Sequence, residues 1–208
     1  MKVSELSRIS GVSLPTVKYY LREGLLPPGR PMGRNQADYD ESHLRRLRLI
    51  RALMDVGGLS VAGVRQVLHA VDDTAMPGHH LLGCAHEAIA GVSRADRGTA
   101  GWLAARAEAA RLVAARGWHV HDRAPALDQL ADAIAALREL GQEDMLTLLD
   151  GYAEAVEQLA RREVGLVLAR GDRAGMVEGV VTGTVLGEAM LTALRRLAQE
   201  HTSATTSP

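Results

Sequence analysis

Apolar residues in the first third of the chain recur every three or four positions, in short runs that glycine or proline interrupts. This spacing predicts helices that each bury one face. The first run, residues 3–9, ends at Gly11, which favours a left-handed turn. The second begins at Ser13, a favoured N-cap residue with Pro15 in the turn after it, and ends at Gly24. Two helices joined by a short glycine-containing turn form the helix-turn-helix pattern.

The next stretch is irregular. Residues 27–35 contain three prolines and two glycines, so they are predicted to form a loop or the tip of a β-hairpin. Arg30 and Arg34 lie in this stretch, and their guanidinium groups can bind phosphates; a solvated linker is the alternative. Helical spacing returns over residues 41–56 and again after Ser60, which is placed to cap a fourth helix.

Beyond residue 71 the chain is rich in alanine and keeps helical spacing. Residues 72–78 are predicted to form a hinge, and residues 202–208 are predicted to fray. Helices are predicted near residues 79–92, 99–117, 126–140, 143–169 and 173–200. The last three can form a bundle with either a ligand pocket or a solid core, and the spacing does not distinguish these two alternatives.

Charge is distributed unevenly along the chain. Residues 1–70 contain 11 Lys and Arg against 6 Asp and Glu, a net charge of +5. The remainder contains 13 basic against 19 acidic residues, a net charge of −6. A basic head on an acidic body indicates that the head binds a polyanion.

Composition argues against several other classes of protein. A single Cys rules out an intrachain disulfide framework and fits a reducing cytoplasm, where we expect the protein to be located. No run approaches about 18 uncharged apolar residues, so no membrane span is predicted. The N-terminus lacks a basic start followed by an apolar run, so no signal peptide is predicted. No nucleophilic triad, Gly-rich phosphate loop or carboxylate pair is recognisable, so neither a catalytic site nor a cofactor is predicted.

An ordered set of residues then identifies a family. The set is Val3-Ser4-Glu5-Leu6, Gly11-Val12-Ser13, Thr16-Val17-Lys18-Tyr19-Tyr20, Gly24-Leu25-Leu26-Pro27, Tyr39, the helix with Leu47, Ile50 and Arg51, and Gly58-Leu59-Ser60 leading into Val64-Arg65. With this set, residues 2–71 resemble the DNA-binding domain of the MerR family of bacterial transcription regulators. The resemblance implies a mainly α protein: a winged helix-turn-helix domain, a dimerisation helix, and an all-α C-terminal bundle similar to that of actinobacterial regulators of this type.

The domain organisation follows from the resemblance and the helix pattern. Residues 1–72 are predicted to form the winged helix-turn-helix domain, and residues 73–122 the hinge and dimerisation region. Residues 123–201 are predicted to form the all-helical C-terminal domain, a candidate effector-sensing domain, and residues 202–208 the frayed tail.

The resemblance also implies a function. MerR-type regulators bind pseudo-palindromic promoter DNA as homodimers, and many untwist it when an effector is bound. The expected partners are therefore double-stranded promoter DNA, a second copy of the chain, RNA polymerase indirectly, and an unknown small-molecule effector, with no membrane. Two alternatives stay open: a metal-responsive regulator, and an architectural DNA-binding protein without an effector.

Predicted DNA contacts lie in the second helix and the wing: Ser13, Thr16, Lys18, Tyr19, Arg22, Arg30, Arg34, Asn35 and Tyr39. Hydroxyl groups and Arg can bind phosphate oxygens, and Arg or Lys can read guanine edges. The sequence departs from the family where Lys18 replaces Arg and Leu21 replaces an acidic residue. Gln36-Ala37 replaces the aromatic-basic pair of the wing, so phosphate contacts are expected from Arg30, Arg34 and Asn35. Lys cannot form the bidentate fork of Arg, so base readout at Lys18 is expected to be weaker.

A dimerisation helix is expected after the DNA-binding domain, because relatives pair one long helix antiparallel across the dimer. Residues 99–117 are the preferred segment and residues 79–92 the second choice. The predicted interface is Trp102, Ala105, Ala109, Leu112 and Val113. The alternative is a helix buried within one subunit.

Metal binding is weighed because it is common in this family. Cys84 and His86 lie two residues apart, as do His119 and His121, and a soft or borderline ion such as zinc could use such ligands. Metal-sensing relatives rely on Cys pairs, and the later positions lack Cys. We therefore predict no metal site and keep these four residues as candidates for the metal-responsive alternative.

Overall fold

The computed structural model describes residues 1–33, 36–73, 83–88, 96–171 and 173–206. Its helices are α1 Val3–Ser10, α2 Leu14–Arg22, α3 Glu41–Arg51, α4 Val61–Asp72, α5 83–88, α6 Ala100–Ala115, α7 Pro125–Glu139, α8 Leu149–Leu168 and α9 Arg173–Thr206. Two strands, β1 Arg30–Gly33 and β2 Gln36–Asp38, form one small sheet. The mainly α fold with a winged helix-turn-helix domain is confirmed.

The first two helices begin and end where local signals predict. Gly11 follows α1 with φ 68°, a conformation that costs residues with a Cβ more than it costs glycine. Ser13 caps α2, because its hydroxyl oxygen accepts the backbone N–H of Thr16 at 3.2 Å. The end of α1 and the start of α2 are therefore determined by residues that are close to them in the sequence.

The wing is an antiparallel hairpin. Arg30 lies opposite Asp38, Pro31 opposite Ala37 and Gly33 opposite Gln36, with an irregularity between Pro31 and Gly33. The predicted hairpin is thus present. Arg34 and Asn35, two of the predicted DNA contacts, lie outside the described residues.

The third predicted helix, residues 41–56, is α-helical only as far as Arg51. Asp40 caps it by accepting the backbone N–H of Ser42 at 2.9 Å. Ala52–Val56 then form a π-helical turn, in which each hydrogen bond spans five residues instead of four. The turn ends at Gly57, and Gly58 has a φ of 67° that redirects the chain towards α4.

The chain divides into two compact units. One comprises Met1–Ala88 with Val177–Pro208, and the other comprises Ile89–Met176. The predicted boundaries at residues 72 and 122 do not coincide with this division. The physical reason is that α9 returns to the N-terminal unit, where Val181 and Val185 are 0% and 2% exposed.

The core of the first unit lies among α1, α2, α3 and α4. Its largest fully buried side chains are Leu6, Val17, Leu25, Leu26, Leu47, Ile50, Leu53, Val64, Val67 and Leu68. Apart from Leu25 and Leu26, which follow α2, these residues come from helices that each bury one apolar face. They fix α2 on the body of the unit and leave its opposite face open.

The second unit centres on the packing of α6 against α7. Its buried cluster contains Trp102, Ala105, Ala109, Leu127, Ala131 and Ile134. Trp102 donates its indole N–H to Asp132 at 2.7 Å, and Arg106 donates to Asp128 at 2.8 Å. The small alanines allow the two helices to approach closely.

This packing bears on the predicted dimer interface. Trp102, Ala105 and Ala109 are buried by α7 of the same chain, Val113 packs against that cluster, and Leu112 is half-buried. Their burial therefore does not need a second copy, and the predicted dimer interface stays a prediction. Of the second-choice segment, residues 83–88 are helical and the rest lies outside the described residues.

The last helix is longer than predicted. It continues to Thr206, within the segment expected to fray. One part of it, Gly175–Thr206, is long and apolar enough to span a membrane by length and composition, and 17% of its most apolar stretch is buried. Length and composition do not distinguish a membrane span from a helix that packs against protein, so the expected absence of a membrane span stays a prediction.

Candidate nucleic-acid interface

The exposed face of α2 carries three of the predicted contacts. Lys18 and Arg22 are exposed and Tyr19 is half-buried, whereas Val17 and Tyr20 are buried. At about 100° per residue, positions 18, 19 and 22 share the side opposite the core. The face thus combines two cations and a phenol on one rigid helix.

Tyr19 and Arg22 also contact each other. The guanidinium carbon of Arg22 lies 5.5 Å from the centroid of the Tyr19 ring, a cation–π distance. The Tyr19 and Tyr20 rings lie 5.9 Å apart in a tilted arrangement. Tyr19 therefore limits the conformations of Arg22 while the Arg22 side chain stays 71% exposed.

Ser13 and Thr16 lie at the N-terminus of α2. Their hydroxyl oxygens are 2.7 Å apart, and Ser13 also accepts the Thr16 backbone N–H. Ser13 is exposed and Thr16 is half-buried. Both hydroxyls thus support the helix start, and their predicted contacts with DNA stay predictions.

Three arginines of α3 and α4 hold the ends of α1 and α2, a role that their spacing in the sequence does not predict. Arg46 donates its Nε–H to the Leu25 carbonyl at 2.8 Å, just beyond the end of α2. Its two Nη groups bind both carboxylate oxygens of Asp72, at 2.5 and 2.7 Å. The side chain of Arg46 is only 14% exposed, whereas that of Asp72 is 57% exposed, so the bidentate pair is buried on the arginine side and reached by solvent on the carboxylate side.

The other two arginines contact the ends of α1 and α2. Arg51 donates to the Ser10 carbonyl at 3.2 Å, and Arg65 donates to the Glu23 carboxylate at 2.9 Å. These partners are 41 and 42 residues apart in the chain. No local sequence signal predicts such pairs, because only the fold brings the groups together.

The wing residues differ in exposure. Arg30 is exposed on β1, whereas Tyr39 is 7% exposed. The Tyr39 ring contacts His43 edge-on, with centroids 5.1 Å apart. Tyr39 therefore belongs to the core at the base of the wing, and its predicted DNA contact stays a prediction.

Tyr20 lies next to the exposed face of α2 but has a structural role. Burial raises the pKa of its hydroxyl above 10.0, and the nearby Asp55 carboxylate raises it further. The hydroxyl donates to the Met54 sulfur at 3.5 Å. Tyr20 therefore stays neutral at physiological pH and packs α2 onto the π-helical turn.

The metal candidates are spread over both units. Cys84 and His86 lie on α5 in the first unit, and His119 and His121 lie in the second. Burial, and secondarily Glu87, raises the pKa of the Cys84 thiol, which disfavours the thiolate form that binds metals. Among the described residues, no group of three or more His, Cys, Asp or Glu side chains could hold a metal ion.

A capped, basic second helix with a hairpin wing defines the class: a winged helix-turn-helix transcription regulator rather than an enzyme. Residues 1–71 match the MerR HTH family regulatory protein family. Residues 1–71 are therefore a MerR-type helix-turn-helix domain.

Three known proteins are similar to it. A 50-residue segment is 38% identical to the HTH-type transcriptional regulator ZntR homolog of Haemophilus influenzae, covering 24% of this chain and 37% of that protein. A 139-residue segment is 27% identical to the heavy metal-dependent transcription regulator 2 of Rhizobium meliloti, covering 65% and 89% respectively. The crystal structure of SCO5550 from Streptomyces coelicolor A3(2), assigned as a transcriptional regulator, has a TM-score of 0.74 and 41% identity over 99% of this chain and 97% of that one.

Proposed function

We propose that the protein binds pseudo-palindromic promoter DNA as a homodimer and changes transcription by distorting the promoter in response to a small molecule. It would act in the cytoplasm and affect RNA polymerase indirectly, through the geometry of the DNA. The observation that carries the proposal is the exposed face of α2 with Lys18, Tyr19 and Arg22. The residues behind it are buried or held by arginine pairs, so the face is rigid.

Binding would begin with the phosphates. Lys18, Arg22 and Arg30 are exposed cations, and each phosphate that a cation neutralises releases counterions. Affinity should therefore fall steeply as salt concentration rises. The major groove, about 12 Å wide, accepts a helix of the size of α2.

Sequence preference would come from two sources. Arg22 can form a bidentate contact with guanine, whereas Lys18 offers only a point charge. Distortion of the promoter adds a second source, because the energy of bending or untwisting depends on the base steps involved. We therefore expect modest base readout and a strong dependence on promoter shape.

A gel-shift titration with the DNA upstream of the protein's own coding sequence tests the proposal. Lys18→Ala, Tyr19→Ala and Arg22→Ala should each weaken binding by roughly 5–100-fold. Arg161→Ala is the matched control, because Arg161 is 75% exposed, close to the 71% of Arg22, but lies on α8. If all three α2 variants bind as tightly as the parent, α2 is not the recognition helix.

A metal-responsive regulator is the second candidate function. It is favoured by the similarity to a heavy metal-dependent regulator, and its candidate ligands are Cys84, His86, His119 and His121. Metal analysis of protein purified without a His tag, combined with Cys84→Ser, separates the two candidates. A bound ion that Cys84→Ser removes would support metal sensing, whereas no bound ion and an unchanged response would eliminate it.

A further inference from the structure

Two glycines of the first unit lie where a Cβ atom has no room. At Gly57, which follows the π-helical turn, a Cβ would lie 2.0 Å from the Cγ1 atom of Val185 on α9. At Gly29, a Cβ would lie 2.8 Å from the carbonyl oxygen of Asp38 and 3.0 Å from two ring carbons of Tyr39. Neither glycine has a positive φ, so both positions need glycine for space and not for backbone conformation.

Gly29 lies where the wing joins the body of the first unit. It is buried and directly precedes Arg30, the exposed first residue of β1. The register that pairs Arg30 with Asp38 places Gly29 opposite Tyr39 one step earlier. Carbon and oxygen atoms that are not bonded to each other rarely approach closer than about 3.3 Å. A side chain at residue 29 would therefore push β1 away from β2 by about half an ångström or more.

Tyr39 is itself fixed by the start of α3 and by the chain before α1. Its side chain is buried, and its ring contacts His43 edge-on with centroids 5.1 Å apart. The Tyr39 backbone N–H donates to the Met1 carbonyl at 2.8 Å. The His43 ring is held in turn, because its Nδ1 atom accepts the Asp40 backbone N–H at 3.2 Å. Tyr39 thus presents a fixed surface to Gly29.

The strands of the wing have little packing of their own. All four residues of β1 are exposed, and β2 has only Ala37 half-buried. An isolated two-stranded hairpin is at best marginally stable in water. The direction of the wing therefore depends on its base, which consists of Gly29, Tyr39 and His43.

We propose that Gly29 and Tyr39 are positioning residues for DNA binding, because their close contact holds Arg30 where it reaches a phosphate. The proposal rests on the proposed function and gives Tyr39 an indirect role in place of a direct contact with DNA. A charged hydrogen bond between Arg and an oxygen spans about 2.7–2.9 Å. A shift of half an ångström at the base of the wing would break such a bond, since the displacement grows along the hairpin.

Gly29→Ala in the full chain tests the proposal in gel-shift titrations at several salt concentrations. It should weaken DNA binding at least about threefold and reduce the slope of log affinity against log salt concentration by about 1. Gly33→Ala is the matched control, because it is the same substitution on β1 at a position with open space around a Cβ. Circular dichroism confirms that both variants remain folded. A Gly29→Ala protein with the affinity and slope of the parent overturns the proposal.

A double-mutant cycle tests that Gly29 acts through Arg30. In an Arg30→Ala background, Gly29→Ala should cause no further loss of affinity, because the cation that it displaces is already absent. A residue that only stabilises the fold would leave the salt slope unchanged, and its effect would add to that of Arg30→Ala. Additive losses overturn the proposal. So does an Arg30→Ala protein that binds DNA like the parent while Gly29→Ala does not.

Two substitutions of Tyr39 separate positioning from direct contact. Tyr39→Phe keeps the ring beside Gly29 and removes the hydroxyl, so this variant should bind DNA like the parent. Tyr39→Leu removes the ring, so it should reproduce the lower affinity and the lower salt slope of Gly29→Ala. If Tyr39→Phe loses as much affinity as Tyr39→Leu, the hydroxyl contacts DNA directly and the positioning role is wrong.

Failure of this proposal and failure of the proposed function give different results. If Arg22→Ala weakens binding while Gly29→Ala and Tyr39→Leu do not, recognition by α2 stands and the role of the wing base is wrong. If Arg22→Ala binds DNA like the parent while Gly29→Ala and Tyr39→Leu lower the salt slope, the wing base is correct and the assignment of α2 fails.

Discussion

Helices α2 and α9 each bury one face in the same compact unit, and the chemistry of their opposite faces differs. The open face of α2 carries Lys18, Tyr19 and Arg22, whereas the second half of α9, in which every residue from 190 to 206 is exposed, carries Met190, Leu194 and Leu197. Exposed cations stay hydrated until a polyanion displaces the bound water. Burial of an exposed apolar surface against any apolar partner is favourable in free energy. The comparison shows that one unit carries two chemically different exposed surfaces, one cationic and one apolar.

A substitution on the buried face of α9 should cause the largest loss of stability. Val185→Asp would bury a carboxylate without a partner beside Gly57, and we expect a loss of roughly 3–5 kcal/mol in the free energy of unfolding. Urea unfolding followed by circular dichroism measures it. Leu103→Asp, at an exposed position, should change stability by less than about 0.5 kcal/mol. Equal stability of the two variants would show that α9 does not pack on the DNA-binding unit.

Loss of the Arg46 contacts should cause the second-largest loss of stability. Arg46→Ala leaves the Leu25 carbonyl and the Asp72 carboxylate without this donor, and we expect a loss of about 2–3 kcal/mol in stability. DNA affinity should fall as well, because α2 loses its fixed position. Arg161→Ala, which removes an exposed i,i+4 pair with Glu157, should cost at most about 0.5 kcal/mol.

The wing should affect binding without affecting stability. Arg30→Ala should reduce the slope of log affinity against log salt concentration by about 1 and weaken binding equally on different DNA sequences. Titrations at several salt concentrations on two promoters measure both quantities. An unchanged slope would remove Arg30 from the phosphate contacts, and a sequence-dependent loss would make it a base-reading residue.

The α3 cap should give the smallest effect, together with a pH dependence. Hydrogen bonds from Ser42 and His43 hold the pKa of Asp40 below its ordinary 3.8. The ionised cap therefore stabilises the folded state above pH about 4, and this contribution is lost as the pH falls below that value. Asp40→Ala should lower Tm by roughly 2–4 °C at pH 7. The difference between parent and variant should shrink in acid; a constant difference would contradict the ionised cap.

Several features of the fold and the site followed from neighbouring residues in the chain. Gly11, Ser13 and Ser60 marked helix ends correctly, because a cap involves groups within a few residues of each other. The ordered residues from Val3 to Arg65 identified the MerR-type DNA-binding domain, and the spacing along α2 separated its exposed cations from Val17. Each of these signals is local, and local propensities and periodicities are what a sequence displays directly.

Other features depended on contacts between distant segments. Arg46, Arg51 and Arg65 find partners 21 to 42 residues away, so three cations counted in the basic head instead hold the scaffold together. The apolar stripe of α6 has the spacing of a dimer helix, yet α7 of the same chain covers it.

Helix α9 shows the same division between sequence and tertiary structure. Its apolar spacing is visible in the sequence, but which face packs on Gly57 and which stays open was decided by folding. Periodicity gives the direction of an apolar face, and only the arrangement of the whole chain determines what covers it.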